Sequence, residues 1–416
     1  MKLRHLLVLA LAGACGVVPL GHAAEPLRLE EAVARALASN PTVAAESAQL
    51  QAVQARAQRE SLPTPYTLGG DLENVGGTGA LSGLHAAETT LRVSRIIELG
   101  GKRAARQSLG SAEVAQQQHH AQVARIEIAS RATTRFIEVV ADQRRLGDAI
   151  ERVKLAERIR REVAAWVAAA RNPESDLRAA EIAVAEAELE REHAEHELAS
   201  ARVTLAASWG ALAPDFERVA GDLDTLPPVE SFDALAARFP MGIEQRTAAL
   251  EAETIAARRR IAEASAKPDL NVSLGVRRLE GLDDQGLVMS VSVPLGSRPR
   301  AAFSISEADA QLAALEARRD AQRIERHQAL FETYQELNHA RTEFEMLRTR
   351  MLPKAGQALA FTRRGFEAGR FSFYQVAQAQ GTLFSLRERS IEAAARYHTL
   401  LVEVERLTAF APESAP

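Results

Sequence analysis

The sequence predicts a mainly α-helical chain with a small β part, built from a duplicated helix, strand, strand, long helix, helix unit. Three observations carry this prediction. Long stretches rich in Ala, Glu, Arg, Leu and Gln lack Gly and Pro, as extended helices do. Four short segments break that pattern and alternate at period two. The helix-breaking residues of one half recur in the other at a spacing of 199 positions.

Residues 1–23 carry Lys2 and Arg4, an apolar run from Leu6 to Val18, and the small-residue site Gly21-His22-Ala23. This is the pattern of an export signal peptide cleaved after Ala23, with the mature chain starting at Ala24. The only cysteine, Cys15, falls inside this segment. Ala12-Gly13-Ala14-Cys15 is a poor lipoprotein box, and lipidation of Cys15 is the alternative reading. Cleavage after Ala23 leaves no cysteine, which excludes disulfides and thiolate chemistry. The 51 basic residues nearly balance the 55 acidic ones, so no basic field exists to attract nucleic acid, and no such partner is expected. No later stretch approaches the roughly 20 apolar residues of a membrane-spanning helix, so an exported chain would enter a second membrane only as a β-barrel.

The first repeat occupies 24–209, with helices predicted at 29–62, 103–168 and 175–209 and strands at 66–74 and 88–97. A Pro-rich, non-helical segment at 210–232 connects it to the second repeat, 233–408. There the helices are 233–266, 304–368 and 373–408, the strands 269–278 and 286–294, and 409–416 forms a tail. The two longest helices would each reach roughly 100 Å at about 1.5 Å per residue, beyond any compact domain. Leu109, Ala112, Val123, Ile126, Ile137 and Val140 form a seam of three- and four-residue steps, as do Ile305, Ala308, Leu312 and Leu315. That period favours coiled-coil packing, and the small residues in it suit several close neighbours.

Along the strands, Leu68, Leu72, Leu91, Val93, Val272, Leu274, Val291 and Val293 fall on apolar faces, opposed by Asp71, Glu73, Arg92, Ser94, Asn271, Ser273, Arg277 and Ser290. Segments of about nine residues with one apolar and one polar face fit strands between lipid and an aqueous lumen. A soluble sandwich strand gives the same alternation; the export signal and the long helices favour the membrane reading. Asn40-Pro41 recurs as Phe239-Pro240, Ala170-Arg171 as Gly369-Arg370, and Leu99-Gly100 as Leu295-Gly296. Four strands cannot close a barrel, whereas three copies supply twelve. The expected assembly is a homotrimer with a 12-stranded β-barrel continuing into a long α-helical barrel. In it the helices at 29–62 and 175–209 stack end to end beside the long helix.

Several of these residues carry a family resemblance. The Asn40-Pro41 helix start, the Glu98-Leu99-Gly100-Gly101-Lys102-Arg103 run, Met351-Leu352-Pro353 and Glu367-Ala368-Gly369-Arg370-Phe371-Ser372 resemble the TolC-type outer-membrane efflux proteins over nearly all of the mature chain. The Glu98 to Arg103 run is most similar to the heavy-metal branch, the cobalt-zinc-cadmium resistance group. The resemblance implies a trimer seated in outer-membrane lipid with a periplasmic helical extension. It further implies a periplasmic adaptor, an inner-membrane resistance-nodulation-division (RND) transporter, and export of heavy-metal cations. The same architecture serving drugs or secreted polypeptides is the alternative, and a soluble coiled-coil adaptor is disfavoured by the four amphipathic strands.

No catalytic residues and no cofactor are expected. The chain lacks a Gly-x-Ser-x-Gly elbow and a His-Glu-x-x-His helix, and Gly100-Gly101-Lys102 lacks the upstream glycine of a phosphate loop. Asp215, Glu217, Asp222 and Asp224 in the connector form no organised motif. His193 and His196 could share a helix face as metal ligands, but a solvated charged face is the simpler reading. The adjacent His119 and His120 diverge around a helix. The two tight turns matter more, because the resemblance makes them the periplasmic tip, where an adaptor docks and a gate narrows. Arg171, Asp176, Gly369, Arg370, Phe371 and Ser372 are the candidate contact residues there, with Arg171 and Arg370 held by acids such as Glu174 or Asp176. Pro353 should kink the second long helix.

Overall fold

The computed structural model describes residues 25–410. The expected signal peptide, Cys15 and residues 411–416 lie outside the described residues. The first half runs through β1 (Leu27–Arg28), α1 (Leu29–Ser39), α2 (Pro41–Ser61), β2 (Tyr66–Glu73), β3 (Glu88–Ile97), α3 (Lys102–Ala168) and α4 (Glu174–Ala206). The connector contributes β4 (Val219–Ala220), which pairs in parallel with β1. The second half holds α5 (Phe232–Ala236), α6 (Ile243–Ser265), β5 (Leu270–Leu279), β6 (Asp284–Ser292), α7 (Ser297–Met346), α8 (Leu352–Glu367) and α9 (Phe373–Leu407).

Three predicted helices are interrupted, each for a local reason. The 29–62 segment is two helices, because Pro41 lacks the N–H that would continue α1. Asn40 caps α2 instead, its Oδ1 accepting from the Thr42 N–H at 2.8 Å. The 233–266 segment divides into α5, a 3₁₀ turn at Phe239–Met241, and α6. Phe239-Pro240 is therefore a connector and not a second copy of the Asn40-Pro41 helix start. The 304–368 helix begins already at Ser297, with Pro299 in the first turn where no intrahelical donor is needed. It continues as 50 α-helical residues, a five-residue π turn at Leu347–Met351, and 16 more α-helical residues. The sequence predicts a kink at Pro353, and the structure places a π turn just upstream of it. The proline ring displaces the carbonyl four residues earlier, Thr349, and the wider turn absorbs it.

The four long strands form one antiparallel sheet in the order β2-β3-β5-β6. Next to it the helices pack in the order α2, α3, α6, α7, and toward the far end in the order α4, α3, α9, α8. The start of α2 meets the end of α4, where Asn40 Nδ2 donates to the Ser208 carbonyl at 2.7 Å, so the two do stack end to end beside α3. The largest core lies at this level and joins Phe136, Val140, Leu205, Phe344 and Leu347 to Phe216, Val219 and Leu223 of the connector. Gly221 rests directly on α3, where an added Cβ would come within 2.5 Å of Val140. Asp224 then fastens the connector to both halves: it accepts two bonds from Arg144 of α3 at 3.0 and 2.8 Å, and its carbonyl accepts from Arg348 of the π turn at 3.1 Å.

Candidate functional site: the sheet faces and the helical tip

Strand register decides which side chains share a face. Leu68 lies opposite Val93, Val93 opposite Leu274, and Leu274 opposite Met289. Leu72, Leu91, Val272 and Val291 fall on the same face, and Val293 lies just past the end of β6. This face is apolar and bare, with Leu68 77 %, Leu274 60 % and Leu287 82 % exposed. The opposite face is polar and partly covered, with Thr90 at 2 % and Ser273 at 8 %. An exposed apolar face backed by a covered polar one is the reverse of a soluble sheet and is the arrangement required of a wall between lipid and water. The band is bounded at its helical end by Tyr66, whose ring lies 4.7 Å from the Arg95 guanidinium. Among the described residues no helix is long and apolar enough to cross a membrane.

The polar face carries an ion-pair ladder. Arg92 reaches Asp71 at 3.0 Å, and Arg277 reaches Glu88 at 2.9 Å and Glu73 at 3.1 Å. Where the sheet joins the helices, Lys102 meets Asp269 at 2.6 Å and Arg106 meets Glu98 at 2.5 Å. The left-handed Gly101 and Gly296 start the two long helices there, at φ 76 and φ 88.

At the other end the two turns share one backbone design. The Arg171 N–H donates to the Trp166 carbonyl and the Ala170 N–H to Val167, at 2.8 and 2.9 Å. Arg370 and Gly369 repeat this pair on Gly365 and Phe366, at 2.8 and 2.9 Å. Both are Schellman caps, with a left-handed residue at Ala170 (φ 53) and Gly369 (φ 68). Only the backbone of each arginine is used by its turn, and both side chains are exposed. Among the described residues the expected latch to local acids does not form. Glu174 pairs with Arg178 at 2.8 Å, and Asp176 accepts from Asn172 at 2.9 Å. Phe371 folds back on Gly365, where any Cβ would come within 2.2 Å of its ring, and the Ser372 N–H donates to Gln375 at 3.1 Å to start α9. Sequence reasoning missed the cluster that joins the two turns, in which Phe366 lies 4.7 Å from Trp166 and 6.3 Å from Phe373. Aromatic residues flanking both breaks were its only signal.

His193 and His196 are not brought together as ligands. His193 Nε2 pairs with Glu197 at 3.2 Å, and among the described residues no three His, Cys, Asp or Glu side chains form a metal-binding group. His119 is buried between helices, its Nε2 2.8 Å from Thr247 Oγ1 and 3.1 Å from the Ile243 carbonyl. Burial pushes its pKa down, opposed by the bond to Ile243. Midway along α3, burial pushes the Asp142 carboxyl above the ordinary range against the Arg145 hydrogen bond at 2.6 Å. Asp148 is raised in the same way, against Arg387 at 3.6 Å.

The pattern of the outer membrane efflux protein family matches residues 230–409. Over 390 residues the chain is 29 % identical to the cobalt-zinc-cadmium resistance protein CzcC of Cupriavidus metallidurans, covering 92 % of this chain and 90 % of that one. It is 28 % identical over 315 residues to the nickel and cobalt resistance protein CnrC of the same organism, covering 74 % and 73 %. Its fold resembles the crystal structure of CusC with a TM-score of 0.74 over 91 % of each chain, at 14 % identity. Sequence pattern, metal-resistance relatives and shared fold point the same way: the chain resembles outer-membrane efflux proteins.

Proposed function

We propose that this chain is the outer-membrane duct of a tripartite RND-type pump that exports heavy-metal cations, and that it works as a homotrimer without catalysing a reaction. The observation that carries the reading is how the edges of the chain match. β2 and β6 are the two open edges of the sheet, α2 and α7 flank the helices beside it, and α4 and α8 flank the far end. Each layer therefore ends on a first-half element on one side and a second-half element on the other, which is the head-to-tail contact that closes a ring. Apolar side chains left bare on these flanking helices, among them Ile182, Leu189, Phe303 and Phe361, support burial against a neighbouring copy. Four strands are too few to close, and three copies give twelve, enough for an open lumen.

In this reading the apolar sheet face meets outer-membrane lipid and the polar face lines water. The helices extend into the periplasm, and the turns at Arg171 and Arg370 face the adaptor, which links the duct to the inner-membrane transporter. The heavy-metal cargo is supported by the metal-resistance relatives. Native mass measurement of the detergent-extracted protein should give a trimer. Deleting the gene should sensitise cells to zinc, cobalt or cadmium and not to hydrophobic drugs. A stable monomer, or unchanged metal tolerance, overturns the proposal.

A further inference from the structure

We propose that Arg277 is a built-in counter-cation that keeps the lumen from trapping the divalent cations passing through it. The inference rests on the reading that the polar sheet face lines the duct. Its starting point is an arrangement that a sheet normally avoids. Glu73 of β2 and Glu88 of β3 lie directly opposite one another, and like charges so placed destabilise a strand pair. Arg277 comes from β5, beyond β3, and bridges both. Its Nη1 donates to Glu88 at 2.9 Å, its Nη2 reaches Glu73 at 3.1 Å, and its Nε donates to Thr90 Oγ1 at 2.9 Å. The second oxygen of Glu88 accepts from Asn74 Nδ2 at 3.1 Å.

Two carboxylates beside a hydroxyl are oxygen donors that divalent cations bind, zinc through the carboxylates among them. The guanidinium occupies the space between them. Its planar fork satisfies both acids at once. The Arg277 side chain is 35 % exposed and Glu73 52 %, so solutes reach the pair from the polar side. A ring of copies would repeat the pair around the lumen. Without the arginine each pair would become an acidic trap, and conduction requires that binding be weak enough for the ion to leave. Arg92 stands in the same relation to Asp71, at 3.0 Å on the same face.

The test uses the full chain in planar bilayers, with zinc chloride alone as the probe. Arg277→Gln should conduct in chelator and close progressively on adding zinc, with half-block at roughly 0.1–1 mM, the range of weak carboxylate sites. Chelator should restore the current. The parent and the triple variant Glu73→Gln/Glu88→Gln/Arg277→Gln should conduct equally with and without zinc. An Arg277→Gln channel indifferent to zinc overturns the proposal, and so does a parent blocked as strongly as the variant. The duct reading survives both results, since the parent still conducts. A parent that opens no channel overturns the duct reading and this inference with it. Should Arg277→Gln not assemble, zinc in the same range added during refolding is expected to restore assembly by replacing the missing charge, and no restoration overturns the proposal.

Discussion

Placing an arginine at Leu274 tests whether the bare face of the sheet meets lipid. Leu274 is mid-strand in β5, a central strand of ten residues, flanked by Val93 and Met289 on the apolar face. Ten residues at about 3.3 Å each, tilted by about 45°, rise roughly 23 Å, close to the ~25 Å apolar band of a membrane barrel. Leu274 therefore falls near the bilayer midplane, where a lipid-facing arginine costs about 2–4 kcal/mol per chain. The matched control is Val288→Arg, mid-strand on the polar face opposite Gly275. There the guanidinium would stay in water, and the cost should stay below about 1 kcal/mol. Denaturant midpoints in lipid vesicles, followed by circular dichroism, give the two values. Equal costs, or a larger one for Val288→Arg, would refute the assignment of faces.

Three further outcomes follow from the helical parts. Ala170 sits in the left-handed region at φ 53, so Ala170→Gly should stabilise by about 1 kcal/mol and Gly369→Ala destabilise by a similar amount, read from thermal unfolding. Burial raises the Asp142 carboxyl, so the folded state holds a proton that the unfolded state releases, and stability falls as pH rises through the raised pKa. Asp142→Asn should flatten that fall when denaturant midpoints are compared across the acidic range; an unchanged slope would assign it elsewhere. Arg171→Ala/Arg370→Ala should leave assembly intact, because each turn uses only the arginine backbone, while changing conductance or crosslinking to the adaptor.

Much of this architecture was legible because it follows from strong periodicity. β3 has the limits that the sequence predicts, and the predicted lipid-facing positions within the strands lie on one face, since period-two alternation survives any even shift in register. The two turns were legible through Gly369 and the repeat. Other features depend on partners far away in sequence. Strands β1 and β4 have two residues each, too few for any periodicity. Arg277 stands out as a polar-face residue, but its bridging of Glu73 and Glu88 depends on a β3–β5 register that no local pattern specifies. Asn40-Pro41 and Phe239-Pro240 look equivalent in sequence and differ in structure. A side-chain cap starts a 21-residue helix at the first, while Gly242 ends a three-residue turn at the second.

The duplication also fixes how neighbouring copies should pair. Within the chain the halves join through β3–β5, α3–α6 and α3–α9. By position in the repeat, β6 corresponds to β3, β2 to β5, α7 and α8 to α3, α2 to α6, and α4 to α9. The open edges are thus the equivalents of edges already joined, and β6 should receive β2 of the next copy as β3 receives β5. The two hairpins supply the register: Leu68 opposes Val93 in one, and Leu274 opposes Met289 in the other. Since Val93 opposes Leu274 at the internal join, Met289 should oppose Leu68 of the next copy, and Val291 should oppose its Tyr66. Directly opposed residues hold their Cβ atoms about 4.5–5.5 Å apart, near enough for a disulfide after a small adjustment. The double variant Leu68→Cys/Met289→Cys should therefore form covalent trimers on mild oxidation, resolved on a denaturing gel. Leu72→Cys/Met289→Cys, displaced four residues along β2, should remain monomeric. Crosslinking of the displaced pair alone would place the copies in another register, and crosslinking of neither would separate the two edges.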